Sequence, residues 1–186
     1  MTRTFLFLAD DPADWRWTTT DERAVLAHGR GVPVAEQVVA VAPADAVTLH
    51  WAALPARSTA QATAAARIVV TEASAGTELH VAVGAEDGGE RPIAVVDPAA
   101  MTGWLAGLAR EGIDPVALVP APLLVPAPEE GFVRAELGGQ GVVRGRATGF
   151  ADEARLTELV TGGVAPVTLD RGAMEGALVA AGVPLL

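Results

Sequence analysis

Gln37-Val-Val-Ala-Val41 is an almost unbroken apolar run of strand length. Such a run is what a sheet interior covered on both faces requires. Upstream, Thr4-Phe-Leu-Phe-Leu8 reads as a second buried strand, followed by Trp15-Arg-Trp-Thr-Thr19 and Ala24-Val-Leu-Ala-His28. Asp- and Pro-rich turns separate these segments, and Gly29-Arg-Gly31 closes the third. The reading is a three-strand meander feeding a buried strand. Trp15 and Trp17 alternate onto one face, so they share a fate, and the core is the expected one.

Downstream, Val47–Leu54 reads as a strand ending at Pro55, and Ser58 with Gln61 forms the Ser-x-x-Gln pattern that opens a helix. Ala62, Ala65, Ala66 and Val69 are expected on its inner face. Glu78–Val83 and Pro92–Val96 read as strands around the turn Glu86-Asp-Gly-Gly89. Asp97 as N-cap, Pro98 at the first position and Gly112 past the end then frame a helix over 98–111. Its inner face should carry Met101, Trp104, Leu105 and Leu108. Residues 47–111 thus spell β-α-β-β-α. A Pro-rich connection, 115–128, leads to strands Phe132–Leu137 and Val142–Arg146, with Gly138-Gly139 turning between them. A helix around 153–161, a strand Val164–Leu169 and a helix capped by Asp170, with Met174, Leu178 and Val179 inward, complete the chain. A meander opens both the first segment and the last.

Composition narrows the function. The net charge is −10; all 13 basic residues are Arg. Residues 1–128 carry net −7 and residues 129–186 net −3, so neither part offers the positive footprint that nucleic acid needs. The longest run free of charged residues and His, Pro115–Pro128, has five prolines in fourteen residues, and a spanning helix needs about 20 apolar residues. No signal peptide is expected at the N-terminus, where the apolar run is short and meets acids at once. There is no cysteine for thiol chemistry and no lysine for Schiff bases.

Catalytic candidates are few. Ser58 is explained as a cap and Ser74 as a helix-end residue. His28, His50 and His80 fall on separate strands without metal-pair spacing and are expected at sheet surfaces. Asp10, Asp11 and Asp14 read as a solvated turn around Pro12. The glycine clusters at 84–89 and 138–141 precede strands, whereas phosphate-binding loops lead into helices. Trp104 is assigned to a helix core.

Several blocks, in order, resemble a known family. They are Val38-Val-Ala-Val-Ala-Pro43 with Asp45, Val47-Thr-Leu-His50, Leu54-Pro-Ala-Arg-Ser58, Glu78-Leu-His-Val-Ala-Val-Gly84, Ala94-Val-Val-Asp97, Trp104-Leu-Ala-Gly-Leu108 with Gly112, and Ala117-Leu-Val-Pro120 before Leu123-Leu124. Together, over roughly residues 5–150, they resemble the cytoplasmic domain of type II secretion system protein L. Val69–Gly76 departs from the family, where this stretch is usually acidic and contains Leu.

The resemblance implies an α/β protein with actin-like, RNase H-like mixed sheets and an inserted β-α-β-β-α subdomain. Residues 1–45 with 113–128 would form the first RNase H-like subdomain, 46–112 the insert, and 129–186 the start of the second. It also implies a non-catalytic scaffold at the cytoplasmic face of the bacterial inner membrane. Its expected partners are the N-terminal domain of the secretion ATPase, protein E, and the platform proteins M and F; a second copy of the chain is a further candidate. In the family a transmembrane helix and a periplasmic domain follow, so the chain would be part of a longer protein. No cofactor or metal is expected. Actin-type ATPases hold phosphate with Asp-x-Gly loops. Here the first loop is Leu8-Ala-Asp-Asp-Pro-Ala-Asp14, without glycine, and the second is Glu136-Leu-Gly-Gly139, without a following Thr or Ser. The competing readings are an actin-like ATPase or nucleotide sensor using Asp10, Asp11 and Glu136 with Mg²⁺, and a fragment of a sugar- or acetate-kinase-like enzyme. Arg134, Arg144 and Arg146, close together in an acidic chain, are the candidate partner-binding residues.

Overall fold

The computed structural model describes residues 1–54, 58–73 and 78–181, with no side-chain description for 71–73. The expected strand end at Pro55 and the reading of Ser74 lie outside the described residues. The described residues form three sheets. The first contains β1 (Arg3–Phe7), β2 (Arg16–Thr20), β3 (Val25–Arg30), β4 (Val38–Ala42) and β8 (Ala117–Pro120), in the order β3-β2-β1-β4-β8. The meander is antiparallel, while β4 runs parallel to both β1 and β8. The second contains β9 (Phe132–Leu137), β10 (Gln140–Gly145), β11 (Thr148–Ala151) and β12 (Val167–Thr168), in the order β11-β10-β9-β12. Its meander is also antiparallel, and β12 runs parallel to β9. The second sheet therefore repeats the order and directions of the first four strands of the first. The third is the antiparallel β5-β7-β6, from β5 (Val47–Ala52), β6 (His80–Val83) and β7 (Arg91–Val96).

Strand β1 shows why the layers stack. Phe5 and Phe7 point to one face, with Val39 and Val41 of β4, into a core shared with Ala135, Leu137 and Val142 of the second sheet. Leu6 and Leu8 point to the other face with Val38 and Ala40, where Trp15 and Leu108 cover them. This second cover is helix α2 (Pro98–Arg110). The Asp97 carboxylate accepts from the Ala99 N–H (2.7 Å), and Pro98 sits in the first turn. At its end Gly112 has φ +70°, its N–H donating to the Ala109 carbonyl and the Ile113 N–H to that of Leu108. That is the paired closure of a Schellman motif, with Ile113 and Leu108 in one apolar cluster. Trp15 is buried and its indole N–H donates to the Ala9 carbonyl (2.9 Å), while Trp17 packs beside it, half-buried.

Helix α1 (Thr59–Ala73) is capped by the Ser58 hydroxyl, which accepts from the Gln61 N–H (3.3 Å). It lies on the third sheet through Ala62, Ala66 and Val70, against Val81, Ile93 and Val95. The inner row is therefore i, i+4, i+8, and Val69, expected inside, is exposed. Leu105 of α2 is also exposed, because Leu108 and the half-buried Trp104 and Met101 already span the covered stripe. In α4 (Arg171–Ala181), Met174 and Leu178 are buried and Val179 is partly so.

Three segments differ from expectation. The Pro-rich 115–128 stretch is a structural member: it forms β8 and a 3-10 turn (Ala121–Leu124) whose Ala121, Pro122 and Leu124 are buried. Proline is tolerated there because β8 is an edge strand, where one side of the backbone needs no N–H donor. Strand β11 extends the second meander by one strand. The strand expected at 164–169 shrinks to Val167–Thr168, beyond the left-handed Gly162 and Gly163 that end helix α3 (Ala154–Thr161).

Truncating Leu108 to Ala should lower the unfolding free energy by about 3 kcal/mol, as a buried leucine leaves a cavity, while Leu105→Ala should stay within about 0.5 kcal/mol. Urea denaturation of the two variants checks this; comparable losses would mean α2 is rotated on the sheet.

Candidate functional site

The phosphate-loop candidates occupy two separate places. Asp11 caps a short 3-10 turn, Pro12–Asp14, accepting from the Ala13 N–H (2.8 Å). Asp14 pairs with Arg30 (3.1 Å) in the open. Asp10 and Asp11 line an open surface hollow with Arg110 and Glu111. Glu136 lies elsewhere, on β9 at the rim of a different cleft. The structure thus does not bring Asp10, Asp11 and Glu136 together. Among the described residues no cluster of three His, Asp or Glu could hold a metal ion. His28, His50 and His80 are exposed on β3, β5 and β6.

At the second of these places, backbone meets side chain directly. The β9–β10 hairpin turns through Gly138 (φ +58°) and Gly139 (φ +86°), the two positive φ values that a two-residue type I′ turn needs. Its tip is seated on the end of β1 and the start of β2. A Cβ on Gly138 would lie 2.4 Å from the Phe7 Cβ, and one on Gly139 would lie 2.7 Å from the Arg16 guanidinium carbon. The second candidate loop is thus packed on Phe7 and Arg16, the residues that flank the first.

The three candidate arginines do not form one patch. Arg134 pairs across the ladder with Val143, and Arg144 with Val133, so alternation sends the two arginines to opposite faces of the second sheet. Arg134 grips Asp152 through Nε (3.0 Å) and Nη2 (3.1 Å), and Asp152 also accepts from the Thr157 hydroxyl (2.7 Å). This ties β9 to α3. Arg144 is buried, at 7% exposure, with its guanidinium carbon 4.6 Å from the centre of the Trp51 ring and Nη1 donating to the Thr148 carbonyl (2.8 Å). Burial lowers its pKa from the ordinary arginine value, opposed by the Asp87 charge. It joins the second sheet to β5 of the third, alongside Gly149, whose missing Cβ admits Pro122 and Leu49. Only Arg146, in the turn after β10, is exposed. Proximity along the chain groups these arginines, whereas strand alternation in Val133–Leu137 and Val142–Arg144 is the signal that separates them.

Helix α3 adds an unexpected surface. It rests on buried Thr157 and Thr161, while Leu156, Leu159 and Val160 are exposed, as are Val164 and Val167 beyond it.

Comparison with known proteins places these features in context. Residues 13–165 match the family model described as type II secretion system (T2SS), protein L. No curated protein sequence matches the chain. The fold is similar to that of the cytoplasmic domain of EpsL, an inner membrane component of the type II secretion system of Vibrio cholerae, with TM-score 0.64 and 20% identity. The match covers 86% of this chain and 74% of that one.

Replacing Arg144 by Ala should cost about 2 kcal/mol through the lost ring contact and carbonyl bond. Arg146→Ala should leave stability within about 0.5 kcal/mol. Chemical denaturation followed by tryptophan emission reads both; equal effects would contradict the buried placement of Arg144.

Proposed function

The chain belongs to the type II secretion system protein L family, and we propose that it acts as a non-catalytic scaffold of the inner-membrane platform, at its cytoplasmic face. In this reading it recruits the secretion ATPase, protein E, by that enzyme's N-terminal domain, and connects it to platform proteins M and F. The two matching strand orders, β3-β2-β1-β4 and β11-β10-β9-β12, support two RNase H-like units of an actin-like scaffold. We take these units as residues 1–45 with 113–128, and 129 onward, with 46–112 inserted.

One observation carries the non-catalytic reading. An ATPase of this architecture needs room for phosphates between its two loops, yet Gly138 and Gly139 rest directly on Phe7 and Arg16. Separation of Asp10 and Asp11 from Glu136 adds to it. With no metal-holding cluster among the described residues, the proposed role rests on shape and surface. Among the described residues no helix is long and apolar enough to cross a membrane. Of the three arginines, Arg146 is the one free to meet a partner.

The chain, immobilised, should retain the N-terminal domain of the cognate secretion ATPase at a one-to-one ratio, and alone should release no phosphate from Mg-ATP. Arg146→Glu should weaken retention. Steady hydrolysis, or failure to retain the domain, would overturn the proposal.

A further inference from the structure

The cleft beside the hairpin has features that the scaffold reading leaves unused. It encloses about 510 Å³, within the roughly 300–1,000 Å³ of small-molecule sites. Its walls are the β1-β2-β3 face of the first sheet and helix α4. Its floor is apolar, with Phe7, Leu137, Met174 and Leu178.

The register of the meander puts like charges side by side above that floor. Arg16 stands directly opposite Arg30, and Phe7 opposite Arg16, so both guanidinium side chains rise from the Phe7 face. One row along, Thr18 stands opposite His28 on the same face. Like charges directly across an antiparallel pair destabilise it. Among the described residues no carboxylate bridges the two guanidinium groups. Arg30 reaches only Asp14, at the exposed rim (3.1 Å), and Arg16 forms no salt bridge among the described residues.

Two of the three carboxylates lining the cleft are otherwise engaged, and the third, Glu136, stands at its rim. Asp170 caps α4, accepting from the Ala173 N–H (2.8 Å), and Glu175 is held by Arg171 at 2.7 Å. Glu136 alternates away from Leu137, which points into the core. The cleft therefore presents two opposed guanidinium groups, Arg16 without a salt bridge among the described residues and Arg30 paired only at the exposed rim, with an imidazole and a hydroxyl, over an aliphatic and aromatic floor. Planar guanidinium forks match carboxylate and phosphate oxygens two at a time.

We propose that this cleft binds a small amphiphilic oxyanion, a carboxylate or phosphate head held between Arg16 and Arg30 with an apolar body on Phe7, Leu137 and Met174. The inference is independent of which proteins the scaffold holds. It requires neither a metal nor turnover.

Calorimetric titration at constant ionic strength with hexanoate, hexyl phosphate and the neutral hexanol tests it on the whole chain. At least one anion should bind saturably, and hexanol at least tenfold more weakly. Arg16→Gln and Arg30→Gln should each weaken the anion at least tenfold, and Arg155→Gln on α3 should not. The tighter anion identifies the head group. Both arginines are exposed, and removal of either relieves the opposed pair, so the Gln variants should unfold at urea midpoints no lower than the parent at low salt. Absence of saturable binding by both anions, or binding unchanged in both Gln variants, would overturn the proposal.

Discussion

Strand β1 runs through the middle of the molecule with apolar side chains on both faces, and the placement of the other layers follows from covering both. Phe5 and Phe7 demand one cover and Leu6 and Leu8 another. The first is assembled from the second sheet, the 3-10 turn after β8 and helix α4; the second is α2 with Trp15. Each cover comes from a distant part of the sequence. A strand able to face water on one side would have left the second sheet without this shared core.

The joint between the two similar sheets is therefore a packed one. Gly138 lets the β9–β10 hairpin reach the Phe7 side chain, where any Cβ would collide. Arg144 then fastens the opposite end of the same sheet onto Trp51 of the third sheet. Two contacts on different edges hold the second sheet in one orientation. For a protein proposed to hold others in register, a fixed joint is the useful property, and for a nucleotide enzyme it would be an obstacle. The chemistry left over lies beside the joint, where the meander's register exposes Arg16 and Arg30 to the cleft.

Much of this was legible in the chain. Helix α2 carries its own start and stop signals, so Asp97, Pro98 and Gly112 were readable to the residue. Apolar runs located β1 and β4, and Gly138-Gly139 located the second hairpin. Legibility failed where a local signal was weak or depended on distant partners. In α1 the small alanines give little contrast between faces, which put Val69 inside where Val70 belongs. Pro115–Pro128 looks like a linker by composition, but Pro120 ends an edge strand, a fact set by β4, some 80 residues earlier. The two-residue β12 is defined by Val133 and Arg134 rather than by its own sequence. The arginines were grouped by proximity along the chain, although alternation puts Arg134 and Arg144 on opposite faces. The hollow split of Asp10 and Asp11 from Glu136 is a tertiary fact with no sequence signal.

Both similar sheets share one core through β1, and on that ground they should open as one body. Native-state hydrogen exchange tests it by comparing the amides of Phe5–Phe7 with those of Val142–Arg144 as denaturant rises. A shared core predicts that both sets open with the same free energy and the same denaturant dependence. Opening of Val142–Arg144 at clearly lower cost, with Phe5–Phe7 still protected, would show that the second sheet is hinged and contradict the account.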